Sequence, residues 1–477
     1  MPKHLHPLAI LAKLITLFRQ FIFPWIFVIW TQWQRPHLPL LILLGAVLLI
    51  GIASLDYALF TYELTDKAVI INHGIFVRQH EHIPYDRIQT IQQTQAWYMR
   101  PFGLIRLQIE TSGHDKDRPE ATLPVVAITV YDTLLKQRQR AQNKPTTVTA
   151  VATPKQPTNT YRIQPSDLNI YALTSQGIIP LAAAITWLQN RLQQLDNFMP
   201  ARFTNGLNQL MHRSTFAGIL TLIIFILLIS LLISYCREII RFYHFTLSRQ
   251  ENQLTTSRGL LSRDTVAVAV PKIQAVVLNQ TLLRQFFHLT TLQVLLASNA
   301  ASDESKRNLV LIPVLKRTQV WSEIQRFTNL KTARQPHLTT LGKSGYWRFI
   351  RNSLLLALLP ILPCLIWLRP FGYFSLLLLP VAYGLGHYAA RNTGFEIMAA
   401  EDILYLQYGK HALRRLFIVP RSKIQALSQR QTIWMAKRQL SHLNVFIRSG
   451  NGVEIVQLRY LTTAQSQQVA QWFEGFK

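Results

Sequence analysis

Apolar and polar positions alternate along this chain on two different scales. On the longer scale, uncharged greasy runs separate polar blocks. Such runs lie between Arg35 and Asp56, from Ser214 to Cys236, from Asn352 to Leu368 and from Pro370 to Ala390. A helix needs about 20 apolar residues to cross about 30 Å of hydrocarbon, so this spacing predicts four membrane spans. Only Arg369 separates the last two, which predicts a hairpin. Two further segments are shorter. Gln20 to Gln34 reaches a full crossing only if Lys13 and Arg19 snorkel to the headgroups, and Trp25, Trp30 and Trp33 suit an interface. Gly177 to Leu188, interrupted by Pro180, fits a re-entrant or interfacial helix as well as a crossing.

On the shorter scale, the blocks between these runs alternate with the period of two that marks β-strands, as in Ala267-Val268-Ala269-Val270 and Leu416-Phe417-Ile418-Val419. One sentence recurs in them three times. Arg87-Ile88-Gln89, Lys272-Ile273-Gln274 and Lys423-Ile424-Gln425 are each followed, after fourteen residues, by L-x-x-L-[QN]-[IV]. The leucine pairs are Leu104 and Leu107, Leu289 and Leu292, and Leu440 and Leu443. Upstream of each tripeptide stand a strand pattern beginning near Tyr62, Phe245 or Phe395 and a glycine turn at Gly74, Gly259 or Gly409. Each copy closes with a strand and an amphipathic helix. The last of these puts Val469, Trp472 and Phe473 on one face, and the second uses Val320, Trp321, Ile324 and Phe327. The chain is therefore read as one module used three times.

A short all-β unit plugged by one C-terminal helix is the architecture of a pleckstrin-homology (PH)-like barrel. Three such units, each preceded by hydrophobic spans, together with H-P-L-A-I-L at His6 to Leu11 and A-L-T-S at Ala172 to Ser175, resemble the bacterial membrane-flanked domain family in its three-module form. The resemblance implies an integral membrane protein with α-helical spans and three PH-like β-barrel domains of antiparallel strands, each closed by a C-terminal helix. The expected partition is a membrane hairpin at 1–60, a first PH-like domain at 61–143, a polar linker at 144–170 and a middle membrane region at 171–237. A second domain at 241–330, a linker at 331–350, a hairpin at 351–391 and a third domain at 392–477 complete it.

Charge adds a direction to this picture. Of 477 residues, 49% are hydrophobic and only 15% charged, yet Lys plus Arg number 50 against 23 Asp plus Glu, a formal +27. Basic polar parts on a greasy chain point to anionic headgroups, nucleic acid, or the cytoplasmic side under the positive-inside bias. Three like modules are expected to share one side, which requires an even number of spans between them. That would put Arg191, Arg202 and Arg213 outside, against the bias. The only cysteines, Cys236 and Cys364, sit at or in apolar runs and suggest neither a disulfide framework nor a zinc site. The N-terminal apolar stretch, broken by Lys13 and Arg19, lacks the layout of a cleaved signal peptide.

No motif for catalysis stands out. Gly342-Lys343-Ser344 resembles the end of a phosphate-binding loop, but His337 occupies the position that loop needs as glycine. His73, His80 and His82 with Asp86 have the spacing of a metal site, against which stands a plain solvated edge. His387 lies alone in a hydrophobic span, a weak sign of a proton path. The cations of the three tripeptides read as solvent-facing flanks of a buried Ile.

The third module carries the best binding signal. No acidic residue occurs between Ile403 and Val453, whereas Lys410, Arg414, Arg415, Arg421, Lys423, Arg430, Lys437 and Arg438 are basic. Trp434 and Met435 read as an apolar tip beneath the last two. Nothing calls for a cofactor, and no nucleic-acid motif accompanies the charge. The expectation is a non-enzymatic, multi-pass protein of the bacterial inner membrane whose cytoplasmic modules dock anionic lipid or a protein partner. The alternatives are a transporter or channel component built round His387, and a structural subunit bound to another membrane-flanked protein.

Overall fold

The computed structural model of the protein describes residues 2–32, 37–75, 77–111, 121–142, 159–175, 215–297, 308–330, 334–367, 371–410, 412–450 and 452–475. Gly177 to Leu188, Arg191, Arg202 and Arg213 fall outside them. Within the described residues the three copies share one order of elements. Each opens with a short strand: β1 (Lys3–His4), β8 (Asn159–Arg162) and β15 (Thr339–Thr340). Helices come next. The first copy has α1 (Leu8–Gln32) and α2 (Leu38–Leu59), the second α4 (Pro165–Thr174) and α5 (Thr215–Phe242), the third α8 (Lys343–Trp367) and α9 (Leu378–Arg391). Only after the helices does the chain add the strand that pairs with the opening one.

Three strands follow as a meander. They are β2 (Thr61–Leu64), β3 (Ala68–His73) and β4 (Gln79–Pro84); β9 (Thr246–Gln250), β10 (Gln253–Arg258) and β11 (Ser262–Ala269); and β16 (Gly394–Met398), β17 (Ile403–Lys410) and β18 (Leu413–Pro420). A 3₁₀ turn ending in the tripeptide cation then starts the second half. It comprises β5 (Ile88–Ala96), β6 (Leu104–Thr111) and β7 (Ala121–Ala127); β12 (Ile273–Gln280), β13 (Leu289–Leu296) and β14 (Asn308–Lys316); and β19 (Ile424–Arg430), β20 (Leu440–Ser449) and β21 (Gly452–Thr462). Short helices, α6 (Leu282–Phe286) and α10 (Ile433–Ala436), link the first two of these strands in copies two and three. The closing helices are α3 (Ile128–Gln142), α7 (Val320–Phe327) and α11 (Thr463–Glu474).

The repeated sentence now has a mechanical meaning. In all three copies the pairing register slips at the tripeptide glutamine, between Ile88 and Thr90, Ile273 and Ala275, and Ile424 and Ala426. It slips again inside the L-x-x-L block, between Ile105 and Leu107, Thr290 and Leu292, and Ser441 and Leu443. These are β-bulges, which bend a strand and sharpen its twist. The residue before each block, Gly103, His288 or Gln439, has positive φ. A bulge, a strand, a tight connection and one left-handed residue fill the fixed interval, which leaves no room for insertion.

Gly74 and Gly259 also have positive φ, and a Cβ on either would lie 2.0 or 1.9 Å from a carbonyl oxygen, of Val77 or Ser262. Only glycine fits such a turn. The third copy differs from the expectation: Gly409 lies inside β17, where it makes room for Tyr388 and Asn392 of the preceding helical region, and Ala412 takes the left-handed turn position.

The sheets correct the expectation of three barrels. Each module's two halves do not close on each other. The second half of the first module continues into the first half of the second as one seven-stranded sheet, β7-β6-β5-β11-β10-β9-β8. The second and third modules join likewise, β14-β13-β12-β18-β17-β16-β15. A four-stranded half-sheet, β1 to β4, and a three-stranded one, β19 to β21, remain at the ends. The sequence pattern fixes a strand's period and faces but not the edge it pairs with, so a module seam reads like a barrel corner.

Cores follow the seams. Met398, Tyr405, Leu416 and Ile418 of the third module are buried with Val276, Leu292 and Ile324 of the second. Conversely Ala275, Val277 and Leu295 of the second module are buried with Leu443, Val456 and Val469 of the third. The two segments read as linkers also contribute: β8 and Leu168 lie within the second module's layer, as does Tyr171 of the region read as membrane, and β15 edges the second long sheet.

Because the modules share sheets, all three lie on one side of any membrane. Among the described residues two helices, Leu38–Leu59 and Lys343–Trp367, are long and apolar enough to cross one. The partner arm of the second is shorter than the sequence suggests, since Phe371–Leu377 is 3₁₀ and only Leu378–Arg391 is α-helical. It still packs as a hairpin arm, with Ser353 donating to the Ala382 carbonyl and Gly386 tight against Ile350.

Candidate docking rim at the helix ends

Two sets of loops gather where the helices meet the sheets. The first set is the hairpin turns after Gly74, Gly259 and Gly409. The backbone N–H groups of Gly259 and Leu260 donate to Tyr243 and Ile240 at the end of α5. Gly409 abuts Tyr388 and Asn392 at the end of α9. The second set links the first two strands of each second half. Arg100 donates to the Leu260 carbonyl and the Trp97 N–H to the Leu261 carbonyl, which docks the first module's loop on the second module's turn. Gln285 donates to the Tyr388 hydroxyl, which fixes the second module's loop at the α9 end. In the third module, the strand beginning at Leu440 runs beside Tyr460, whose ring and hydroxyl meet Phe349 and Asn352 of α8.

These loops carry unburied apolar side chains. Val77 is 72% exposed, Phe286 78%, Ile433 78% and Trp434 73%. Trp97, Phe102, Leu261 and Phe287 are also mostly exposed. A water-facing loop gains nothing from such residues, whereas an interfacial one does. Lys437 lies 5.7 Å from the Trp434 ring centre, and Arg438 and Arg430 are exposed beside it. Apolar tips flanked by cations are the chemistry of a surface that meets anionic headgroups.

Of the basic residues singled out in the third module, Lys410, Arg430, Lys437 and Arg438 are exposed. The others serve the framework. Arg414 donates to Gln280 across the second seam. Beside it a pocket of about 190 Å³ is lined by Arg317, Gln280, Trp321 and Gln407. Arg415 reaches the Tyr408 hydroxyl. Arg421 lies over the Trp472 ring and binds Asp402 and the Phe473 carbonyl. Lys423 donates to the Pro271 carbonyl of the second module. Met435 is buried, so the tip is Ile433 and Trp434 rather than Trp434 and Met435. Sequence reading overlooked Trp97, Phe102, Phe286 and Phe287. Their one signal was position, each within the fixed interval just before an L-x-x-L block.

The signature residues Ile88, Leu104, Leu107, Leu289, Leu292, Ile424, Leu440 and Leu443 are buried and Ile273 is partly so. Their cations are not equivalent. Lys272 is drawn inside, where burial first, then Arg138 and Arg448, lower its amine to about 8 while Glu110 opposes the shift. Burial raises the Glu110 carboxyl to about 7, with Lys272 pulling the other way. One lysine of the second module thus faces charged groups from the first and the third. A second buried cation, Arg284 of α6, is held by Thr174, Thr291, Ser175 and the Tyr171 carbonyl, and burial lowers its pKa.

His80 bonds Asn72 and His73 approaches Glu81. No cluster of metal-ligating side chains occurs among the described residues. His387 is not alone, since it hydrogen-bonds the Tyr346 hydroxyl and stacks on Tyr383.

The model of the bacterial PH domain family matches residues 11–142, 203–328 and 353–477. The UPF0699 transmembrane protein YdbT of Bacillus subtilis (strain 168) is 26% identical over 99% of this chain and 98% of its own length. No solved structure matches the chain.

Proposed function

The chain belongs to the bacterial PH domain family, and on that premise we propose that it is a non-catalytic, multi-pass protein of the bacterial cytoplasmic membrane. Its fused modules hold the rim against the cytoplasmic leaflet, where it docks on anionic lipid. The observation that carries this reading is the repetition of exposed apolar tips at the helix ends of every module. The excess of 50 basic over 23 acidic residues supports the cytoplasmic side and the anionic leaflet. Tips presented together on one rigid body add their weak contacts, so modest affinities sum to firm seating.

The test uses the full chain in lipid nanodiscs, with Cys236 and Cys364 replaced and an environment-sensitive fluorophore on a cysteine at position 434 or 286. Quenching by lipids labelled near the headgroup is expected at both positions. At position 434 it should be stronger with anionic lipid and weakened by salt. Lys437→Gln with Arg438→Gln should remove that salt-dependent part, at about 1 kcal/mol per cation. Probes that stay equally wet in neutral and anionic discs would refute the reading.

A further inference from the structure

The two seams obey one rule of register. Ser262 lies eleven residues before Ile273 and pairs with Ala96, eight after Ile88. Ile418 lies six before Ile424 and pairs with Val276, three after Ile273. Each seam joins five residue pairs, and the offset is the same in both. One donor edge and one acceptor edge of this design remain. Among the described residues β4 has a neighbour only in β3, and β19 only in β20. The contrast in burial is large. Gln274, Ala275, Val276 and Val277 of β12 are buried under the next module, whereas the matching Gln425 and Ala426 of β19 are exposed and Leu427 and Ser428 half-buried.

We propose that β4 of a second copy of this chain adds to β19 in the same antiparallel register, so that molecules join head to tail along the membrane. The rule sets Gln79 opposite Arg430, His80 opposite Gln429 and Glu81 opposite Ser428. Glu81 and Arg430 then become diagonal neighbours on one face, within reach of each other. Polar side chains do not bar this pairing. The first seam already pairs Arg263, Asp264 and Thr265 with Gln95, Thr94 and Gln93. Nor does Pro84, since Pro420 occupies the equivalent place in the paired β18. Joining unlike edges is heterologous association, which grows into rings or open chains rather than closing as a two-fold dimer.

Two differently tagged full-length chains without native cysteines, co-expressed in membranes, provide the test. One carries His80→Cys and the other Gln429→Cys; the control pair replaces the latter with Arg430→Cys, which points to the opposite face. Residues paired across a sheet meet the Cα spacing of a disulfide, so mild oxidation should give about tenfold more mixed-tag dimer from the first pair than from the control. Equal yields, or none, would overturn the proposal. As a check independent of the substitutions, the unmutated chain in nanodiscs large enough for several copies should give masses at integer multiples that grow with protein density. A protein held only as single copies, or β19 found crosslinked to a different protein in native membranes, would equally defeat it.

Discussion

Glu110 is the residue whose placement has the clearest solution consequence. It sits on β6 beside the first seam, buried, with Oε2 lacking a hydrogen-bond partner among the described residues. Its carboxyl is raised to about 7, so the folded chain holds a proton that the unfolded chain releases near 4.5. The resulting stabilisation is complete below the ordinary carboxylate value and is lost as pH rises through about 7. Lys272 acts in the opposite sense, mainly above about 8, and adds only a small opposing slope at the top of the window below. The midpoint of thermal unfolding should therefore fall between pH 5 and 7.5 in the native chain relative to Glu110→Gln, whose curve lacks this component. Parallel curves would contradict the assignment. Neither residue advertises this role in the sequence. Lys272 reads as a solvated flank because its two equivalents, Arg87 and Lys423, carry the same motif in different surroundings.

For the elements, strand identity was legible and strand partnership was not. The alternating runs, the glycine turns, the terminal helices and the fixed interval all mark real elements, because each depends on local periodicity. What the repeated sentence encodes, two bulges and a left-handed residue per copy, is not legible, since His288 and Gln439 lack the usual turn signature. The basic residues of β18 read as a docking face for a similar reason. Arg414 and Arg415 read as solvent-facing basic residues, but β12 of the second module pairs with them through Gln280 and Asn279. Leu295 makes the exchange measurable. It belongs to β13 yet is buried with third-module residues. Leu295→Ala should cost about 2–5 kcal/mol, as a large-to-small core change does. The loss should appear as faster amide hydrogen exchange in Leu440–Ser449, a strand of a different module. Exchange confined to β13 and β14 would mean that the cores are separate.

For the whole molecule, shared sheets replace a string of tethered beads with one continuous body. A specific protease site inserted into the polar stretch 143–158 tests this directly. After cleavage in mild detergent the first module should stay with the remainder through size exclusion, held by the β5–β11 ladder and the contacts of Trp97 and Arg100 with Leu261 and Leu260. Separation into two peaks would show that the seam contributes little. The same continuity bears on excised modules. A fragment beginning near Thr393 lacks β15, α8, α9 and the β12 edge, and strips Ala275, Val277 and Leu295 from the core that holds Phe417 and Val419.

The opening strands β1, β8 and β15 carry a last implication, for how the chain is made. Each leaves the ribosome before the helices of its own module, and its partner leaves only after them. A half-sheet therefore cannot be completed until its greasy arms have been handed to the insertion machinery. β12 must wait longer still, holding an open edge until Leu413–Pro420 has been synthesised. Translation order thus sets a schedule in which membrane insertion precedes sheet closure, and nascent chains stalled before residue 413 should be the ones that chaperones find.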